Sequence, residues 1–216
     1  MLKKTIIFFV LMVMPISVAA EEVSRPEVVF LKESQLAPHQ ATIAKVEKYL
    51  SSLTTITSEF VQAAPDGGLA SGKFFLKRPG KMRWQYNPPI PILMIADGFE
   101  LIYYDYELEQ ISHIPMDSTL IGFLAKEKIS LGDEVGIISF EESTGSVRIG
   151  LTQREKPEEG QLVLEFTNNP LLIRNMIVTD TNGKTTTVSL NKAKFGVKID
   201  DKLFIFKDPR KPLRRL

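Results

Sequence analysis

The sequence predicts a mainly β domain, an antiparallel sheet of about eleven strands curled into a barrel or half-barrel with helical segments laid against it. Three observations carry this expectation. From Glu59 onward the chain consists of short runs rich in Phe, Tyr, Val, Ile and Thr separated by turn residues, the form that antiparallel strands take. Asp97-Gly98 and Asn182-Gly183 sit between such runs, and these pairs supply the positive φ that a two-residue hairpin turn needs. Two other stretches, one before the runs and one in their middle, space their apolar residues as helices do.

Taken in order, residues 1–20 read as a secretory signal. Lys3 and Lys4 precede an apolar run from Ile6 to Val13, and Val18-Ala19-Ala20 forms a small-residue cleavage site. The run is far shorter than the roughly 20 residues needed to span hydrocarbon, so cleavage before Glu21 is expected rather than anchoring. Residues 21–39 are polar and interrupted by Pro26 and Pro38, an N-terminal extension expected to be loosely held. Residues 40–216 then form one domain, long enough to bury roughly 70% of the surface its unfolded chain exposes.

A helix is expected from Gln40 to Thr54, because Ile43, Val46, Leu50 and Leu53 share a face and Lys45, Glu47 and Lys48 do not. The strands are expected near 58–64, 70–77, 81–87, 92–96, 99–105, 110–114, 135–142, 146–154, 161–167, 171–179 and 185–194. One segment breaks the β pattern. After Pro115, Asp117 or Ser118 is suited to cap a short helix in which Leu120, Phe123 and Leu124 share a face, before Gly132 ends the region. An apolar helix face inserted into a sheet protein has the sheet's concave side to cover, so the segment reads as a plug or lid.

Composition narrows the function. Of 27 Lys and Arg residues two fall in the signal, leaving 25 against 26 acidic residues, so no global charge draws the chain to nucleic acid. The absence of cysteine excludes disulfides, thiolate metal sites and a lipidated N-terminal cysteine; a soluble, unanchored protein, most simply a monomer, is expected. The two histidines, His39 and His113, belong to no hydrolase elbow or metalloprotease motif. Asn182-Gly183-Lys184-Thr185 imitates the end of a phosphate loop, but Val178 stands where that loop needs glycine. The expectation is a protein that is not an enzyme and needs no cofactor or metal.

The stretch Gly72 to Tyr86 stands out. Strand alternation puts Phe74, Leu76 and Arg78 on one face and, past Pro79-Gly80, aligns Met82, Trp84 and Tyr86. If the apolar set faces the concave side, Arg78 faces it too. Alternation equally allows Arg78 to sit at the strand end and snorkel to water, and Met82 and Trp84 to be ordinary core.

At these residues the chain resembles the LolA family, the periplasmic outer-membrane lipoprotein carriers. The pattern is Phe60-x-Gln62, Gly72, Lys77-Arg78-Pro79-Gly80 with Trp84 and Pro89, Asp97-Gly98, Tyr104-Asp105 and Glu109-Gln110. The resemblance implies an unclosed barrel of eleven antiparallel strands with an α-helical lid and a cavity for acyl chains. It implies Met82 and Trp84 as acyl-chain contacts and Arg78 as the residue that latches the lid; strand alternation and the helix face extend the expected lining to Phe74, Leu76, Tyr86, Leu120, Phe123 and Leu124. Implied partners are lipoproteins, an inner-membrane ABC transporter that loads the carrier and an outer-membrane lipoprotein receptor that unloads it. That receptor shares the fold but is anchored through an N-terminal cysteine, which this chain lacks. A LolA-like module that senses lipids in the envelope is the alternative; such sensors usually carry a second domain. The extension to Pro38 and the short basic end from Lys207 depart from the family pattern.

Overall fold

A computed structural model describes residues 28–116, 119–133 and 135–210. The expected signal and its cleavage site lie outside the described residues. Eleven strands form: β1 (Thr55–Ala63), β2 (Leu69–Lys77), β3 (Lys81–Tyr86), β4 (Ile92–Asp97), β5 (Glu100–Asp105), β6 (Gln110–Pro115), β7 (Val135–Glu142), β8 (Ser146–Gln153), β9 (Gln161–Thr167), β10 (Leu172–Thr179) and β11 (Thr185–Phe195). Each matches a run expected from the sequence, with ends displaced by at most three residues.

All eleven belong to one antiparallel sheet in the order β6-β5-β4-β3-β2-β1-β11-β10-β9-β8-β7. Two meanders, β1 to β6 and β7 to β11, are thus joined by the pairing of the first strand with the last. Because β6 and β7 are both edges, the sheet curls without closing. The chain must pass from one edge to the other between residues 116 and 134, and it places α3 (Leu120–Ala125) there. Thr119, not Asp117 or Ser118, is the N-cap, its hydroxyl accepting from the Gly122 amide at 2.9 Å. Asp117 and Ser118 lie outside the described residues.

The concave face carries the core. Ile56, Phe60, Phe74, Leu76, Met82 and Trp84 from one meander and Ile149, Leu151, Leu162, Leu164 and Phe166 from the other are buried in a single cluster. α2 (Gln40–Ser52) adds Ile43, Val46 and Leu50 to it, the face its sequence spacing defines. Tyr49 seats α2 on the second meander: its ring stands edge-on to Phe166 and Phe195 at 6.0 and 6.5 Å, and its hydroxyl accepts from the Ile173 amide at 3.1 Å.

The described part of the N-terminal extension, expected to be loose, is docked. Leu31 donates its backbone N–H to the Ile137 carbonyl of β7 at 2.8 Å, and the short helix α1 (Glu33–Leu36) leads through a 3₁₀ turn at Ala37–His39 into α2. The reason is the unpaired β7 edge, which needs partners and which Phe30 and Leu31 are placed to cover. At the other end a 3₁₀ turn at Asp201–Phe204 crosses the convex side. Asp201 pairs with Lys77 and Lys81 at 2.8 and 2.7 Å, and Arg83 donates to the Leu203 carbonyl at 2.9 Å. Phe206 then completes a second, small core with Leu93, Ile95 and Tyr104. Arg210 bonds Asp208 and the Glu109 carbonyl, while residues 211–216 lie outside the described residues.

Candidate functional site

The β2–β3 hairpin sets the geometry of the concave face. Its register pairs Phe74 with Trp84, Leu76 with Met82 and Gly72 with Tyr86, so alternation turns all five large side chains inward. Each is at most 7% exposed. The Trp84 ring lies 4.1 Å from Phe74 in a tilted stack and 5.1 Å from Phe60 edge-on, with Phe60 edge-on to Tyr86 at 4.9 Å. The Tyr86 hydroxyl donates to Gln62 Oε1 at 2.7 Å. Burial, and after it the neighbouring Tyr103, pushes the Tyr86 phenol up, so it stays protonated. Tyr103 is pushed up to about 12 by burial and then Asp105. Phe60 and Gln62 are site-facing residues missed as such in the sequence; the alternation of Ile56, Ser58, Phe60 and Gln62 along β1 was the available signal.

Leu120, Phe123 and Leu124 of α3 belong to the same buried cluster as these five, so all eight expected contacts are brought together. They do not all border open space. A cavity of about 730 Å³ lies beside α3, lined by Met116, Thr119, Leu120, Phe123 and Val135 with Lys126, Asp133, Gln153, Arg154 and Glu155. Only Leu120 and Phe123 of the eight reach it. Phe74, Leu76, Met82, Trp84, Tyr86 and Leu124 are buried against their neighbours in the core cluster.

Arg78 closes the hairpin end. Its side chain turns inward, Nε donating to the Leu124 carbonyl at 3.0 Å and Nη1 donating to the Leu50 carbonyl. These carbonyls belong to the last turns of α3 and α2, where the helix dipole favours a cation; the Leu50 carbonyl also accepts from the Leu53 N–H that caps α2, at 3.2 Å. The Gly80 amide donates to the Ala125 carbonyl at 2.8 Å, next to Leu124. A Cβ at Gly80 would come within 2.6 Å of the Gly98 Cα, so the close approach of these two turns depends on glycine. Burial lowers the Arg78 pKa to about 10, and no carboxylate among the described residues pairs with it. The guanidinium is still a cation at neutral pH, held by carbonyl dipoles alone. The Leu50 carbonyl, on a different helix from the expected one, was not foreseen; nor was the charged rim of the cavity.

The family described as "Outer membrane lipoprotein carrier protein LolA" matches residues 51–207. The chain belongs to the LolA family. The match takes in the β2–β3 hairpin, Arg78, α3 and the C-terminal turn. The relatives that resemble this LolA-family chain include an outer-membrane lipoprotein carrier protein of Legionella pneumophila, 29% identical over 79% of this chain and 88% of that one. Another, of the same name, from Methylococcus capsulatus is 24% identical over 83% and 88% of the respective lengths. An uncharacterized protein of Rickettsia prowazekii is 24% identical over 77% of both chains. Among solved structures, a DUF1329 family protein from Desulfovibrio piger superposes with a TM-score of 0.50 at 13% identity, over 78% of this chain and 96% of that one. That likeness is one of fold alone.

Proposed function

We propose that this chain is a periplasmic carrier that takes up the acyl chains of lipoproteins as they leave the inner membrane and delivers them to a receptor at the outer membrane. The observation that carries this reading is the half-buried Arg78, which ties the ends of α2 and α3 over an apolar concave face. The names borne by its relatives support the same reading.

The physics sets the task. Each methylene exposed to water costs about 0.8 kcal/mol, so a sixteen-carbon chain costs roughly 12 kcal/mol and a lipoprotein does not leave its membrane unaided. A carrier must match that apolar area without holding it too firmly to release. Here Phe74, Leu76, Met82, Trp84 and Tyr86 supply the sheet side of the acyl site, and Leu120, Phe123 and Leu124 supply the lid side. Cargo must separate α3 from the sheet, so the stability of the closed lid is subtracted from the affinity. Arg78 is the latch that sets that stability. The work of loading belongs to an inner-membrane ABC transporter, and the carrier itself performs no chemistry and needs no cofactor.

Native mass spectrometry of the protein recovered from periplasm is expected to show bound acylated polypeptide. Loading and unloading are then measured separately for Arg78→Leu, which is expected to accept cargo from the transporter and to pass at least tenfold less to the receptor. Transfer at the wild-type rate sinks the latch, and recovery of free glycolipid alone sinks the lipoprotein cargo.

A further inference from the structure

Among the polar groups that line the cavity beside α3, Arg154 is held in place by two contacts. Arg154, just past β8, is fixed on two sides: Nε donates to the Gly132 carbonyl at 2.7 Å, and the guanidinium carbon stands 5.3 Å from the centre of the Phe30 ring. Phe30 is itself immobilised against β7, since a Cβ at Gly136 would fall 2.2 Å from the ring. The two terminal NH₂ groups of Arg154 donate to no described residue, yet Arg154 lines the cavity. A preorganised guanidinium whose terminal donors bond no described residue, at the lip of a cavity lined by Leu120, Phe123 and Val135, fits a ligand with an apolar tail and an oxygen acceptor at its head.

The rim narrows the acceptor. Asp133 and Glu155 line the same mouth as Lys126 and Arg154, so cations and carboxylates balance and a free carboxylate or phosphate gains little from the field. We infer that Arg154 binds the neutral ester or amide carbonyl of an acyl chain whose tail enters between α3 and the β7 edge, with Phe30 of the N-terminal extension as the fixed post of that opening. This assignment rests on the acyl-carrier reading and adds to it where the head of the chain is held. A charged guanidinium bonding a carbonyl contributes about 1.5–3 kcal/mol, on the order of tenfold or more in affinity.

The test uses the mature protein and three probes: a tripalmitoylated cysteinyl peptide, palmitate, and the neutral apolar dye N-phenyl-1-naphthylamine. Arg154→Ala is expected to weaken the lipopeptide about tenfold and leave the dye unchanged, with Arg154→Lys in between because lysine lacks the fork. Palmitate should bind the wild type more weakly than the lipopeptide. Equal loss for lipopeptide and dye, or no loss for either, overturns the assignment, and palmitate bound more tightly than lipopeptide overturns the choice of a neutral carbonyl. A wild-type protein that binds neither lipopeptide nor dye overturns the acyl-carrier reading itself. Unchanged thermal unfolding of the exposed Arg154 variants separates these outcomes from misfolding.

Discussion

The two meanders build their concave faces from the same alternation but from different side chains. In β7 to β11 the 0% exposed residues Val147, Ile149, Leu151, Leu162 and Leu164 are all aliphatic, with Phe166 and Met176 buried beside them, and α2 is seated on the same meander through Tyr49, which meets Phe166, Phe195 and Ile173. In β1 to β6 the inward residues are richer in aromatics, Phe60, Phe74, Trp84 and Tyr86 standing with Met82, Ile56 and Leu76 and with Gln62 among them. Their cover is α3, six residues long. Branched aliphatic side chains interlock in one arrangement, whereas methionine and offset aromatic pairs keep favourable contacts through small shifts. The difference teaches a division of labour: one half is a fixed floor, the other a surface that repacks under a movable lid.

The hardest test of that division is truncation on each side. Leu164→Ala should lose about 2–5 kcal/mol of stability in urea unfolding, since its site cannot collapse. Met82→Leu, equally buried, should lose less than about 1.5 kcal/mol while altering lipopeptide affinity. A mild Leu164→Ala would mean that the second meander is not the fixed half.

Arg78→Leu sharpens the contrast between the two helices. The half-buried guanidinium bonds two helix-end carbonyls that leucine cannot serve, so the unfolding free energy should fall by about 1–3 kcal/mol while lid amides such as Ala125 exchange faster. On α2, Tyr49→Phe removes the hydroxyl that accepts from Ile173. It should cost about 1 kcal/mol, speed exchange of the Ile173 amide and leave cargo release as in the wild type. Impaired release by Tyr49→Phe would make α2 part of the moving lid.

Much of this arrangement was legible in the sequence, for stated reasons. Alternation and hairpin pairs located the strands because both are local, and the turn chemistry of Asp97-Gly98 needs no knowledge of the fold. The inward set of β2 and β3 was legible because seven consecutive alternating positions leave one consistent assignment. The cap of α3 was misread by one or two residues because Asp117, Ser118 and Thr119 are all competent caps, and the choice among them is made by the path from β6. Docking of Phe30 and Leu31 was not legible, since it answers the β7 edge, which is left open because β7 pairs with β8 alone and not with β6. The Leu50 carbonyl partner of Arg78 was hidden likewise: a backbone acceptor has no sequence signature.

The smallest expected effect lies on the outside of the same hairpin. Asp201 is held at about 2, well below the usual carboxylate range, first by the hydrogen bond from Lys77 and then by that from Lys81. A depressed carboxylate contributes its stability above the ordinary value and loses it as pH falls through the lowered one, so the C-terminal turn should loosen toward pH 2. Asp201 is exposed and salt screens such pairs, so Asp201→Asn should hardly move the global urea midpoint. It should instead raise exchange at Leu203 and Ile205 at neutral pH, with variant and wild type converging near pH 2. The informative amides are on the opposite side of the sheet. Lys77 adjoins Arg78, and if the convex strap helps to hold the hairpin end, Leu124 and Ala125 will also exchange faster in Asp201→Asn. If they do not, the two faces of the hairpin are energetically separate, and the lid answers to Arg78 and Gly80 without help from the tail.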